Sequence, residues 1–229
     1  MRLASLISGG KDSLYATYVM SKKHDIVCLL SMFPERDDSY MFHFPNVKIT
    51  ELQAKAMGIP IFTQTTKAEK ERELEDLKKL FLKVKDRVDG IVSGALASRY
   101  QKERIDKICR EVGLRSFSPL WGIEPEKLWE RLLSEGFEVL IISVSAMGLG
   151  KEWLGRKVDR EAFEELKEIA RKNRFHLGFE GGEAETLVVD MPLFRKKIKI
   201  NKAEVVWYGD HGRYIIKDAE LVEKTNQPS

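Results

Sequence analysis

The chain places Ser8-Gly9-Gly10-Lys11-Asp12-Ser13 directly after an apolar run, Leu3 to Ile7, and directly before a helical pattern. A strand, a glycine turn and a helix in that order make a concave site for anions, because the N–H groups of the turn and of the helix's first turn converge on one point. Gly9 and Gly10 allow backbone conformations closed to other residues and let a ligand approach without a Cβ in the way. Ser8 and Ser13 can add hydroxyl donors, Lys11 a point charge, and Asp12 a ligand for a magnesium ion that offsets the remaining phosphate charge. The set reads as a phosphate cradle. Its spacing is neither Gly-x-x-x-x-Gly-Lys-Ser/Thr nor Gly-x-Gly-x-x-Gly, which excludes the two commonest phosphate loops.

Three further stretches carry side chains that could do chemistry. Met32-Phe33-Pro34 and the segment 36–46, with Tyr40, Met41, Phe42 and His43, follow the second apolar run. There Met32, Met41 and Phe42 can form an apolar slot for a base, and His43 can reach phosphate or ribose; a packed or solvated histidine is the plainer alternative. Segment 93–104 contains Gly94, Ser98, Arg99, Tyr100, Gln101 and Arg104. Tyr100 and Arg104 are one helical turn apart and share a face, and Arg99 or Arg104 can grip a phosphate or carboxylate through a bidentate fork. The third stretch, 178–194, holds Glu180, Glu183, Glu185 and Thr186 around Gly181 and Gly182. On an extended segment Glu183 and Glu185 point to one face. Three carboxylates so close repel one another unless a cation, an ammonium or a basic substrate group sits among them; fully solvated, the turn needs no ligand.

The elements that must position these residues follow from hydrophobic pattern. Apolar runs at 3–7, 26–32, 59–63, 88–92 and 138–144 are mostly continuous, as in strands buried on both faces. Between them lie helical patterns at 67–86, 99–112 and 124–136. In the second of these, Ile105, Ile108, Cys109 and Val112 recur at i, i+3, i+4 and i+7, and Gly113 supplies the stop. Leu74, Leu77, Phe81 and Val84 form a stripe in the first, where Glu75 and Lys79 can pair on the solvent side. Alternation of this kind specifies a parallel α/β sheet. In such sheets ligands collect beyond the C-terminal strand ends, where the glycine turn and the stretches at 32–46 and 93–104 fall. After about residue 140 the texture changes to a helix at 160–173 and short β-rich runs at 184–190, 197–208 and 213–222, the last two joined as a hairpin around Asp210-His211-Gly212. The expected division is 1–130 for the nucleotide-binding domain and 131–229 for a second one.

Composition bounds the remaining classes. With 229 residues, 43% hydrophobic and 33% charged, the chain is long enough for one large or two small cores and lies well away from the disordered class. No run approaches the roughly 20 apolar residues of a membrane span, and a strand begins at once, so a cytoplasmic location and no membrane partner are expected. A net charge of +3 argues against broad nucleic-acid binding. Cys28 and Cys109 show neither a CxxC spacing nor a histidine cluster, which argues against a zinc site or a redox pair.

The glycine turn resembles the Ser-Gly-Gly-x-Asp-Ser signature of the PP-loop ATP pyrophosphatases, which cleave ATP between the α and β phosphates to activate a substrate as its adenylate. Together with Tyr-Met-Phe-His at 40–43, Gly-Ala-x-x-Ser-x-Tyr-Gln at 94–101, Pro-Leu-Trp at 119–121 and Glu-Gly-Gly-Glu-x-Glu-Thr at 180–186, the chain resembles the diphthine–ammonia ligase branch of that superfamily over almost its whole length. The resemblance implies a Rossmann-like, HUP-like parallel-sheet domain followed by a smaller C-terminal α+β substrate domain. It implies ATP and Mg2+ as cofactors, and amidation of a modified histidine on translation elongation factor 2 with ammonium. Under it, Ser8, Gly9, Gly10, Lys11, Asp12, Ser13, Met32, Met41, His43 and Gly94 bind the nucleotide, with Asp12 on the metal. Ser98, Tyr100, Gln101, Arg104, Glu180, Glu183, Glu185 and Thr186 bind substrate, and Lys11, Asp12, Arg104, Glu183 and Glu185 are catalytic. A PP-loop tRNA-modifying enzyme of the thiolation or lysidine type, and an ATP-binding regulatory module without turnover, remain the alternatives. The oligomeric state is left open, a homodimer included.

Overall fold

The computed structural model describes residues 1–34, 46–66 and 70–224. Strands and helices alternate through the first half: β1 (Arg2–Leu6), α1 (Lys11–Ser21), β2 (Asp25–Pro34), α2 (Asn46–Met57), β3 (Ile61–Thr66), α3 (Lys70–Leu82), β4 (Gly90–Val92), α4 (Arg99–Val112) and β5 (Arg115–Phe117). The five strands form one parallel sheet in the order β3-β2-β1-β4-β5. The chain moves outward from β1 to β3 on one side, then returns to β4 beside β1 and leaves in the other direction. That reversal opens a crevice at the carboxyl ends of β1 and β4, where open α/β sheets bind ligands. Residues 7–13 and 93–98 lie there.

The helices form where their apolar stripes require. Ile105, Ile108 and Cys109 of α4 are buried against Leu77, Phe81, Val84 and Ile91. Gly113 closes α4 in the left-handed region, at φ 77°, as a C-terminal glycine does. On α3, Lys79 pairs with Asp76 at 2.9 Å, at i,i+3 spacing.

The second half contains α5 (Pro125–Ser134), β6 (Glu138–Val144), a 3-10 turn at Lys151–Trp153, α6 (Arg160–Asn173), β7 (Ala184–Asp190), β8 (Lys196–Trp207) and β9 (Gly212–Glu223). Its sheet is antiparallel, in the order β7-β6-β9-β8. The run 138–144 is thus a strand, but not of the parallel sheet. Val139 and Ile141 are buried while their neighbours are only half-buried, the alternation of a sheet covered on one face. The fifth parallel strand is the three-residue Arg115–Phe117 instead, too short and too polar to stand out in the sequence. Trp129, Trp153, Phe163 and Leu166 are buried in this half. β8 is an outer strand carrying Lys196, Lys197, Lys199 and Lys202; Lys196 pairs with Glu223 and Lys197 with Glu138.

Close contacts divide the chain into two units, Met1–Ala54 with Ile59–Ile123, and Lys55–Gly58 with Glu124–Ser229. The division leaves α5 whole in the second unit, whereas a boundary at 130/131 falls inside that helix. No helix among the described residues is long and apolar enough to cross a membrane.

Candidate active site

The glycine turn is built against three neighbours. Gly9 takes φ 90°, a conformation that favours glycine. Its carbonyl accepts a hydrogen bond from Gln53 Nε2 of α2 at 3.0 Å. Ser31 Oγ donates to the Ile7 carbonyl at 2.8 Å, tying the start of the turn to β2. On the helix side, Ser13 Oγ accepts from the Ser8 N–H at 3.1 Å and lies 3.2 Å from Ser8 Oγ. Thr17 Oγ1 donates to the Ser13 carbonyl at 2.7 Å and meets Ser5 Oγ at 2.7 Å, so a buried hydroxyl pair fixes α1 to β1. No side chain caps α1 at Gly10, which leaves that end of the helix for a ligand's negative charge.

Lys11 and Asp12 are the charged pair of the turn. Lys11 Nζ donates to both carboxylate oxygens of Asp12, at 2.9 and 2.8 Å. The lysine is buried to 1% exposure and the aspartate keeps 29%. An anion and a divalent cation arriving together suit this pair, the anion matching the ammonium and the cation the carboxylate. Gly94 closes the turn from the β4 side. A Cβ on it would lie 2.6 Å from Ser13 N and 2.8 Å from the Asp12 carbonyl carbon, so only glycine lets this loop rest on the backbone of the turn. Beside it, Ser93 Oγ and Ser118 Oγ lie 3.0 Å apart across β4 and β5.

The helix start at 98–104 has two parts. Ser98 Oγ accepts from the Gln101 N–H and caps α4. One turn on, the Arg104 guanidinium stacks on the exposed Tyr100 ring at 3.6 Å, the shared face expected from their spacing. Gln101 is exposed. Met32 is half-buried and packs against the core of the parallel sheet. Met41 and His43 lie outside the described residues.

In the second unit the acidic turn is braced from within. Trp129 Nε1 donates to the Leu177 carbonyl at 3.0 Å, and Ser145 Oγ donates to the Gly182 carbonyl. The Glu183 carboxylate accepts from the Gly181 N–H at 2.8 Å and from the His176 N–H at 3.4 Å. Glu183 immediately precedes β7, which begins at Ala184, and Ala184 between it and Glu185 is buried. Glu180 and Glu185 are exposed, and Thr186 is half-buried opposite Ile141. Phe179, inside the turn, holds φ 64°, an uncommon conformation for a bulky residue. Its ring meets Trp129 edge-on at 6.1 Å.

Both cysteines are core residues. Burial pushes the Cys28 thiol up to about 11, against the opposing charges of Arg87 and Arg2. Burial likewise pushes Cys109 up to about 12. Neither is a thiolate at neutral pH, so neither has the reactivity of a sulfur carrier.

Gln53 is the site residue that the sequence reading passes over. It occupies an apolar-stripe position of α2, between Ile49 and Met57 at i, i+4 spacing, and is fully buried. A lone polar residue on such a stripe is the signal that could have revealed it.

Residues 1–116 match the family model for the diphthamide synthase N-terminal domain and residues 124–222 the model for its C-terminal domain. The diphthine–ammonia ligase of Bos taurus is 36% identical over 230 residues, covering 90% of this chain and 85% of its own length, and that of Homo sapiens agrees in all four figures. The Schizosaccharomyces pombe diphthine–ammonia ligase is 32% identical over 90% of this chain, which spans 37% of that longer protein. Matched in both halves, and along nearly its full length by the mammalian proteins, the chain belongs to the diphthamide synthase family.

Proposed function

We propose that the protein is an ATP-dependent ligase that amidates diphthine on translation elongation factor 2 with ammonium, giving diphthamide, AMP and pyrophosphate. The observation that carries this reading is the phosphate cradle at the reversal of the parallel sheet, in a chain whose relatives are diphthine–ammonia ligases. The first unit supplies activation. An oxygen of the substrate carboxylate attacks the α-phosphorus of ATP, the bond to the β-phosphate breaks, and pyrophosphate leaves an acyl-adenylate behind. Ser8, Gly9, Gly10, Lys11 and Ser13 hold the departing pyrophosphate, and Arg104 meets the charge that develops at the α-phosphorus.

Asp12 fits a magnesium ion, which would offset phosphate charge when bound. Mg2+ is usually held by one or two carboxylates together with substrate phosphates and water, a set in which Asp12 would supply one carboxylate. The second unit supplies the acceptor side. Its exposed Glu180 and Glu185 suit a cation, ammonium or the trimethylammonium of diphthine, while Glu183 holds the turn that carries them. Only neutral ammonia is nucleophilic, so a carboxylate must take a proton before nitrogen attacks the acyl carbon and AMP leaves.

The test is incubation of diphthine-bearing elongation factor with ATP, Mg2+ and ammonium. Peptide mass spectrometry is expected to show the amide, with AMP and pyrophosphate released one for one. AMP formation that depends on tRNA instead would replace this reading with RNA modification, and ATP binding without AMP would make the protein a sensor.

A further inference from the structure

We infer that Gln53 is a positioning residue that keeps the Gly9–Gly10 peptide of the phosphate turn from flipping, and so sets the affinity for the polyphosphate. The inference rests on the reading of residues 8–13 as the ATP phosphate site.

A peptide between two glycines is the easiest kind to rotate, because neither flanking residue has a Cβ to oppose the change. Its orientation matters here. In a trans peptide the carbonyl oxygen and the following N–H point in opposite directions, and no peptide among the described residues is cis. Gln53 Nε2 donates to the Gly9 carbonyl at 3.0 Å, drawing that oxygen toward α2. The Gly10 N–H therefore points away from α2, where Ser8 Oγ lies 3.5 Å from it and Ser13 Oγ is a further 3.2 Å from Ser8 Oγ. Rotation of the peptide would exchange the two groups, presenting a carbonyl dipole to a phosphate in place of a donor.

Within the turn the Gly10 N–H makes a long hydrogen bond to Ser8 Oγ, at 3.5 Å. The shorter restraint comes from a fully buried side chain far away in sequence, whose Oε1 would lie 3.3 Å from a Cβ placed on Gly9. Thr50, one turn earlier on α2 and also fully buried, approaches the same glycine through its Cγ2 methyl, 3.6 Å from that Cβ position. A methyl contact and a hydrogen-bond donor to the turn thus sit on two residues of one helix, which makes the inference testable.

The dissociation constants of ATP and of inorganic pyrophosphate are measured by calorimetry for the full-length wild type and for Gln53→Met, Gln53→Glu and Thr50→Val, with the melting temperature of each. Gln53→Met keeps the shape and removes the donor, and is expected to weaken both ligands roughly tenfold. Thr50→Val keeps the methyl contact and should leave both constants within about twofold of wild type, whatever it does to melting. Gln53→Glu loses the donor when ionised and regains an O–H donor when protonated. Its affinity relative to wild type should therefore recover between about pH 8 and about pH 5.5, which a merely structural role would not produce. Wild-type affinity in Gln53→Met, an equal loss in Thr50→Val, or a pH-independent Gln53→Glu would each overturn the inference. A wild type that binds neither ligand would overturn the phosphate-site reading itself.

Discussion

Gly94 and Glu183 show how little freedom single residues have around the two loops. The atoms that would meet a Cβ on Gly94 belong to the backbone of Asp12 and Ser13, which cannot rotate aside as a side chain can. Gly94→Ala should push the first turn of α1 away, lowering stability by about 1–3 kcal/mol and weakening ATP binding in calorimetry, although its φ demands no glycine. Glu183 accepts two backbone N–H groups, and a glutamine there can present only one oxygen. Glu183→Gln is expected to cost about 1–2 kcal/mol in urea unfolding. If Glu183 serves only the acceptor side, ATP–pyrophosphate exchange in that variant continues while amide formation is lost. Loss of both activities would remove the division of labour between the units.

At the scale of elements, α4 tests how a helix is bounded. Nothing lies within 4 Å of a Cβ on Gly113, so Gly113→Ala isolates the strain of the left-handed region, about 1 kcal/mol, in thermal unfolding. The same features made α4 legible in the sequence: an apolar stripe with a glycine stop has one reading. The helix at 160–173 and the hairpin around Asp210 were legible too, the hairpin from its turn residues, and α6 and the β8–β9 pair occupy those positions. Arg115–Phe117 was not, because three residues carry no periodicity. The allocation of 138–144 also escaped, since an apolar run does not reveal whether its neighbours are parallel. Within the site, the glycine turn was readable because its order of residue types is rare. Its brace at Gln53 was not, because a hydrogen bond between residues so far apart in sequence has no local pattern.

For the molecule as a whole, ionisation ties both units to solvent conditions. Burial alone would raise the Glu138 carboxyl, but the hydrogen bond from Lys197 and the charges of Lys157 and Lys197 outweigh it and hold the group below its ordinary value. A depressed carboxyl stabilises the fold above the unfolded-state pKa, and that contribution is lost as pH falls through the folded value. Lys197→Met should therefore lower the urea midpoint at neutral pH, with the gap to wild type closing below roughly pH 4. The raised thiols give the opposite kind of constancy. Native protein at about pH 8 should leave Cys28 and Cys109 unmodified by a disulfide reagent, and guanidinium should release both.

The lysines of β8 have a consequence for how copies of the chain meet. An outermost strand is an unfinished ladder, and a second copy could in principle continue it. Lys196, Lys197 and Lys199 are paired with Glu223, Glu138 and Glu220, so a second copy laid along this strand would have to fit its own row of lysines and glutamates against these ion pairs, with the ammonium groups of Lys202 and its counterpart repelling. Dissolved ions shorten the reach of that repulsion, to about 3 Å at molar salt. How closely two such edges can approach is therefore expected to depend on the medium as well as on the chain.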